Sequence, residues 1–159
     1  MKIAALIPVY SEPKGLVALC KRLAADTYRD KEIVVVVDGE TTAAIAGPLD
    51  TIAVLPPLSI IQGRRHLGKA HAQNRAASET DTDAILFLDN DILLPNRDGF
   101  LQMLAESFEG SELVEIPKIG IGKGFLASMM KLEFLANIYS AECMASGLGA
   151  CPSMNGAAF

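Results

Sequence analysis

The chain has 159 residues, half of them hydrophobic, a net charge of −5 and a pI near 5.0. That length suits one domain with a sizeable core. The acidic balance and the lack of any basic run argue against nucleic acid as the main partner. Cys20, Cys143 and Cys151 have no metal-type spacing and read as reduced thiols of a cytosolic protein.

Residues 3–9 form an apolar run too short for the core of a signal peptide, and are expected to be a first strand. Ser11, Glu12 and Pro13 mark a helix start. Over residues 14–25, Leu16, Leu19, Cys20 and Leu23 fall at helical spacing. Residues 33–37 are an isoleucine and four valines closed by Asp38 and Gly39, which predicts a second, buried strand. A short helix over 41–46 is expected to stop at Gly47 and Pro48. Weak strands are expected at 51–55, ahead of Pro56 and Pro57, and at 59–62. Residues 68–79 predict a helix with small side chains on one face, Ala70, Ala72, Ala76 and Ala77. Residues 84–88 are an unbroken apolar run closed by Asp89, Asn90 and Asp91, which predicts a strand buried on both faces. A helix within 95–109, with Phe100, Met103, Leu104 and Phe108 inward, and a strand over 113–116 follow.

Alternating β and α segments with parallel-type strands predict an α/β protein. The expected architecture is a Rossmann-like, doubly wound, mostly parallel sheet in a single domain, residues 1–159. Over residues 125–139, Leu126, Met129, Met130, Leu132, Phe134, Leu135 and Ile138 fall at helical spacing. Lys131, Glu133 and Asn137 interrupt the stretch and argue against a membrane span. Two readings stay open there: a helix packed on the sheet, or one lying near a membrane surface or an acceptor channel. The chain closes on Asn155, Gly156, Ala157, Ala158 and Phe159, small residues running into an apolar strand. The fold is therefore expected to be truncated and to continue beyond Phe159.

In a parallel sheet the carboxyl ends of the strands share one edge, and ligands bind in the crevice there. The first strand brings Tyr10 and Glu12 to that edge, the second brings Asp38, and the aspartate strand brings Asp89 and Asp91. At i and i+2 of an extended segment two side chains point to one side. Two hard oxygen ligands suit Mg²⁺ or Mn²⁺, with waters and substrate phosphates completing the shell. The same tripeptide also suits a turn that ends a strand.

Residues 63–70 nearly spell a P-loop, but Ala70 stands where a Ser or Thr hydroxyl would hold Mg²⁺. A helix N-terminus with Lys69 and Arg65 beside it still favours a diphosphate, and a solvated loop at Arg64 and Arg65 is the plainer alternative. His66 and His71 make no metal set with a third residue and read as structural or exposed. No Gly-x-Ser-x-Gly elbow, Cys/His nucleophile signature or Gly-x-Gly-x-x-Gly occurs.

Nearly the whole chain resembles the family 2, GT-A type inverting glycosyltransferases. The resemblance rests on Ile7-Pro8-Val9-Tyr10-Ser11-Glu12, on residues 32–39, on Gly68-Lys69-Ala70-His71-Ala72-Gln73-Asn74, and on Phe87-Leu88-Asp89-Asn90-Asp91 with Pro95. It implies that Pro8, Tyr10 and Glu12 line a nucleotide pocket and that Asp38 meets the base. Many members carry a second aspartate just before Asp38, and here that residue is Val37. It further implies that Lys69 and Asn74 lie along the nucleotide and diphosphate. Asp89 and Asp91 become the Asp-x-Asp pair, with Asp91 the direct ligand of Mg²⁺ or Mn²⁺. The implied donor is a nucleotide-diphosphate sugar, and the implied acceptor is a saccharide or lipid-linked hydroxyl.

Residues 131–159 are similar to the middle of the membrane-associated, processive-type members such as chitin and hyaluronan synthases. In those the general base, and a Gln-x-x-Arg-Trp motif, come later; this chain has no Trp. The resemblance thus implies a donor-binding half whose general base lies beyond Phe159. It also implies a cytoplasmic location, at the cytoplasmic face of a membrane if the full protein is membrane-associated. Two alternatives stand beside it. One is a catalytically incomplete nucleotide-sugar-binding module. The other is a Mg²⁺-dependent phosphohydrolase with Asp89 as nucleophile and Asp91 as acid. Against the latter, Ile92, Leu93, Leu94 and Pro95 stand where a small hydroxyl residue is usual.

Overall fold

The computed structural model describes residues 1–112, 114 and 116–148. Two compact units divide them, the first reaching Val114 and the second following it. In the first unit the elements run β1 (Ile3–Val9), α1 (Leu16–Ala24), β2 (Lys31–Val37), α2 (Ala43–Ile52), β3 (Leu58–Gln62), α3 (Lys69–Glu79), β4 (Ala84–Phe87) and α4 (Phe100–Ser107). The second holds α5 (Phe125–Leu148). The four strands are ordered β3-β2-β1-β4, and every pairing is parallel. The predicted α/β, doubly wound parallel sheet is what forms.

β1 is central, and all seven of its residues are buried. Its side chains alternate between the faces of the sheet. Ala4 and Leu6, with Val34 and Val36 of β2, pack against Ala72 and Ala76 of α3. These small side chains let the α3 backbone approach the sheet closely. Ala77 packs at the margin, whereas Ala70, expected on the same face, is exposed. The opposite face carries Ile3, Ile7, Ile33 and Val35, all buried. α1 lies against β2 and α2, and buries Leu16, Leu19, Cys20 and Leu23. Desolvation pushes the Cys20 thiol up to about 12, which suits a packing residue rather than a reactive one.

Several boundaries differ from expectation. α2 runs straight through Gly47 and Pro48 to Ile52, and no strand forms at 51–55. Ile45, Leu49 and Ile52 are buried at helical spacing, and this tertiary stripe outweighs the local breaker. β4 ends at Phe87 and is half-buried along most of its length, because it lies at an edge of the sheet among the described residues. α4 forms within the expected 95–109 stretch, over Phe100–Ser107. It buries Leu101 beside Phe100 and Leu104, leaves Met103 exposed and only half-buries Phe108. At 113–116, Val114 and Ile116 are not in a strand, and Leu113 and Glu115 lie outside the described residues. So do Cys151 and the apolar close at 155–159.

Asp26 explains where α4 begins. Its carboxylate is buried. Oδ2 accepts the N–H groups of Phe100 (3.0 Å) and Leu101 (3.5 Å), and Oδ1 accepts that of Tyr28 (2.9 Å). An acid from the end of α1 thus satisfies the free donors at the start of a helix distant in sequence. Arg22, one turn earlier, donates to the carbonyls of Pro95 (3.0 Å) and Arg97. Together they hold the segment that follows Asp91.

Gly15, at the start of α1, faces that same turn from below. A Cβ there would lie 2.5 Å from the Asn90 carbonyl oxygen and 3.0 Å from the Asp91 Cα. Its φ of −107° and ψ of −9° suit any residue, so the requirement for glycine is one of space alone. Asn90 closes the contact by donating from Nδ2 to the Glu12 carbonyl at 3.3 Å.

In the second unit, Lys131 Nζ donates to the Gly122 carbonyl at 3.3 Å. Leu126, Met129, Met130, Leu132 and Leu135 of α5 are exposed, while Phe134 and Ile138 are half-buried. Among the described residues, no helix is long and apolar enough to cross a membrane.

Two substitutions probe this frame. Asp26→Ala leaves buried N–H donors at α4 unpaired and is expected to cost about 2–3 kcal/mol, measured by urea unfolding; a loss under about 0.5 kcal/mol contradicts the capping role. Gly15→Ala is expected to cost about 1–3 kcal/mol by overpacking and to shift the amide resonances of Asn90 and Asp91. Unchanged resonances there would show that the turn is not braced by Gly15.

Candidate nucleotide and metal site

The parallel register sets the site. Val9 pairs with Val37, and the Asp38 N–H donates to the Val9 carbonyl at 2.8 Å. On the other side Leu6 pairs with Phe87, and the Leu88 N–H donates to the Leu6 carbonyl at 3.0 Å. Tyr10, Asp38 and Asp89 therefore leave adjacent strand ends. β1 and β4 flank the point where the strand order reverses, the usual place for a ligand crevice. A cavity of about 380 Å³ opens there, lined among others by Pro8, Tyr10, Glu12, Asp38, Lys69, Asp89 and Asp91.

The two aspartates reach the cavity by a route other than strand alternation. The strand has already ended, and Asn90 and Asp91 form a turn in which the Ile92 N–H donates to the Asp89 carbonyl at 3.3 Å. The strand-ending turn and the paired acids are thus one feature. Asp89 Oδ1 is ion-paired with Lys69 Nζ from the first turn of α3. Asp91 is exposed and makes no hydrogen bond or ion pair among the described residues. Glu12 is paired with Lys14 at 2.6 Å. Its carboxyl is held below the usual range first by that hydrogen bond and then by the ammonium charge. The same pairing, with Asp91 contributing at longer range, raises Lys14.

Asp38 is built in more deeply, with its side chain only 5% exposed. Oδ1 accepts the Leu67 N–H and Oδ2 the Gly68 N–H, each at 2.9 Å. Oδ2 also faces Nδ1 of His66 at 2.8 Å. Gly68 precedes α3 with a φ of +96°, a conformation that favours glycine and aims its N–H at the carboxylate. Asp38 thereby fixes the loop that delivers Lys69.

His66 is the residue that motif reading missed. It lines the cavity, and its ring stacks on Tyr10 with centroids 3.7 Å apart and planes inclined by 23°. Spacing carried no sign of this, because the partners come from three separate segments. Asn74, in contrast, is an exposed α3 residue outside the cavity lining. Arg64 and Arg65 line a neighbouring hollow of about 420 Å³ between the β3–α3 loop and α3, together with His71 and Arg75.

The donor set fits a hard divalent cation in part. Among the described residues no group of three metal-ligating side chains occurs. Asp89 and Asp91 alone suit an ion that takes one or two carboxylates and draws its other ligands from water and substrate phosphates.

Solved structures with this fold are numerous. A mannosyltransferase from Pyrobaculum calidifontis, in complex with GDP-Man and Mn²⁺, is 21% identical with a TM-score of 0.61 over 75% of this chain and 34% of its own. TarS from S. aureus, residues 1–349, in complex with UDP-GlcNAc, is 20% identical with a TM-score of 0.62 over 79% of this chain and 37% of its own. The glucosyl-3-phosphoglycerate synthase of Mycobacterium tuberculosis, with UDP, is 16% identical with a TM-score of 0.54 over 92% of this chain and 52% of its own. The chain therefore spans between a third and about half the length of these structures. No curated protein sequence matches it significantly. The model of the family described as Glycosyl transferase family 2 matches residues 4–153. With nearly the whole length so matched, the chain belongs to glycosyl transferase family 2.

Proposed function

We propose that the chain is the donor-binding part of an inverting, metal-assisted glycosyltransferase that takes a sugar from a nucleotide-diphosphate sugar. The observation that carries this reading is the charge balance of the cavity at the β1/β4 crevice. Four acids line it, Glu12, Asp38, Asp89 and Asp91, against a single lysine, Lys69. Three of the four already have partners in His66 and backbone amides, in Lys69, and in Lys14. Asp91 has no hydrogen-bond or ion-pair partner among the described residues. A diphosphate entering this pocket meets repulsion unless a cation comes with it. Mg²⁺ or Mn²⁺ held by Asp91 and the outer oxygen of Asp89 supplies that charge and, when bound, stabilises the departing nucleoside diphosphate. The Mn²⁺ in the similar mannosyltransferase complex supports the choice of ion. The UDP-GlcNAc and GDP-Man complexes support the donor class.

The chain's own residues then have distinct tasks. Pro8 and Tyr10 give the nucleotide an apolar, aromatic wall. Lys69 reaches the diphosphate from the start of α3, where the helix dipole favours negative charge. Glu12 keeps Lys14 at the mouth. The acceptor hydroxyl, of a saccharide or lipid-linked glycan, attacks the anomeric carbon opposite the leaving group. Processive, membrane-associated polysaccharide synthesis is the pathway class this reading favours for the full protein. Its site then faces the cytoplasm, where nucleotide sugars are made.

Titration calorimetry with UDP and GDP, each with and without Mn²⁺, tests the proposal. The expected outcome is binding that requires the ion. Asp91→Ala is expected to weaken Mn²⁺-dependent binding by at least about tenfold, the low end of what disturbing a metal site costs. Its melting curve should be unchanged, because the Asp91 side chain makes no hydrogen bond or ion pair among the described residues. Equal affinity with and without Mn²⁺ in the parent chain, or an unaffected Asp91→Ala variant, overturns the metal assignment.

A further inference from the structure

We propose that the hollow between the β3–α3 loop and α3 is a second binding site, independent of any metal, and that it takes a multiply charged oxyanion of the phosphate class. It is separate from the β1/β4 cavity, and it stands whether or not a nucleotide binds there.

The first ground is charge. Arg64, Arg65 and Arg75 line the hollow together with His71, and Asp38 is its one acid. Such a gathering of guanidinium groups runs against the chain as a whole, whose net charge is −5. Asp38 is committed to the Leu67 and Gly68 N–H groups and to His66. Glu79 answers Arg75. Arg64 and Arg65 have no ion-pair partner among the described residues. The hollow therefore keeps an excess of positive charge, the reverse of the acid-lined cavity beside it.

The second ground is that these groups are held in place. The loop carrying Arg64 and Arg65 is tied at both ends. At its start the Gly63 N–H donates to the Val37 carbonyl at 2.7 Å. Gln62 Nε2 donates to the carbonyls of Gly39 (2.5 Å) and Gly63 (3.0 Å). A Cβ on Gly63 would lie 2.5 Å from the Val37 carbonyl oxygen, so the chain is pressed against the end of β2. At its close Asp38 accepts the Leu67 and Gly68 N–H groups. From α3, Arg75 is oriented by two contacts. Its Nε donates to Glu79 Oε1 at 2.8 Å and its Nη1 to the Gln62 carbonyl at 3.1 Å. Its Nη2 has no hydrogen-bond partner among the described residues. A guanidinium fixed in this way loses less freedom when it meets a ligand.

The third ground is chemical complementarity. The planar fork of arginine matches the oxygens of a phosphate group. With the guanidinium groups already cationic, no metal ion is needed to bring the anion in. The volume of about 420 Å³ falls in the range of small-molecule pockets and admits more than one phosphate group. The loop serves the two sites from different residues. His66 and Lys69 line the β1/β4 cavity, whereas Arg64, Arg65 and Leu67 line this hollow.

The test is a calorimetric titration of the 159-residue chain with pyrophosphate in buffer containing EDTA, so that no metal-dependent site is filled. Saturable binding that weakens as NaCl is raised is expected. Arg64→Gln and Arg75→Gln are each expected to weaken it by about tenfold or more, the scale of one charge-assisted hydrogen bond lost. Lys69→Gln, in the β1/β4 cavity, is expected to leave it unchanged. Thermal melts establish that each variant is folded, and Arg64, exposed on the loop, keeps the test independent of any role of Arg75 in holding α3. A folded parent chain that shows no saturable binding overturns the proposal. So does a loss of binding in Lys69→Gln with both arginine variants unaffected, which assigns the anion to the β1/β4 cavity. The Mn²⁺-dependent titrations with UDP and GDP judge the donor site separately, so either reading can fail without the other.

Discussion

The parallel pairing of β1 between β2 and β4 is the constraint on which the rest depends. With Val9 in register with Val37 and Leu6 with Phe87, neighbouring chains run about 4.8 Å apart. Everything that leaves the carboxyl ends of these strands is delivered to one edge. Residues far apart in sequence, Tyr10, Asp38 and Asp89, become neighbours for that reason alone. The strand order reverses beside β1, and a ligand crevice usually opens at such a point. Burial of all of β1 is what makes the register costly to slip.

Around this edge, charges are arranged by the backbone as much as by side chains. Asp38 is tied to two amide N–H groups and to an imidazole, so it organises the entry to α3 rather than standing open to solvent. Asp26 does the same at α4. In both cases a buried carboxylate ends up at a helix start, where free N–H donors and the helix dipole make its charge tolerable. The two acids thus fix where α3 and α4 begin. Those helix starts in turn limit the freedom of Lys69 and of the segment that follows Asp91. Gly15 supplies the remaining limit, since there is no room for a side chain under the Asn90 carbonyl.

The second unit follows different rules. α5 is apolar by composition, yet its own unit supplies little to cover Leu126, Leu132 or Phe125, which are exposed. A stripe predicted from helical spacing says which residues share a face. It does not say that anything lies against that face.

By itself the sequence determined the fold class, the positions of β1, β2 and β3 within a residue or two, and the convergence of acids at one edge. Apolar runs closed by Asp are local signals, and their outcome depends on period and polarity that any reader of the chain can count. It also determined the family, through short motifs in a characteristic order. Tertiary structure decided what local signals could not carry. α2 continues through Gly47 and Pro48 because Ile45, Leu49 and Ile52 find the core. α4 waits for Phe100 because Asp26, distant in sequence, caps it there. Asp89 and Asp91 share a cavity by way of a turn. His66 becomes part of the site because Tyr10 and Asp38, on two other segments, meet it in space. Each of these rests on a contact between residues far apart along the chain, and such contacts leave no periodicity or spacing for a sequence to show.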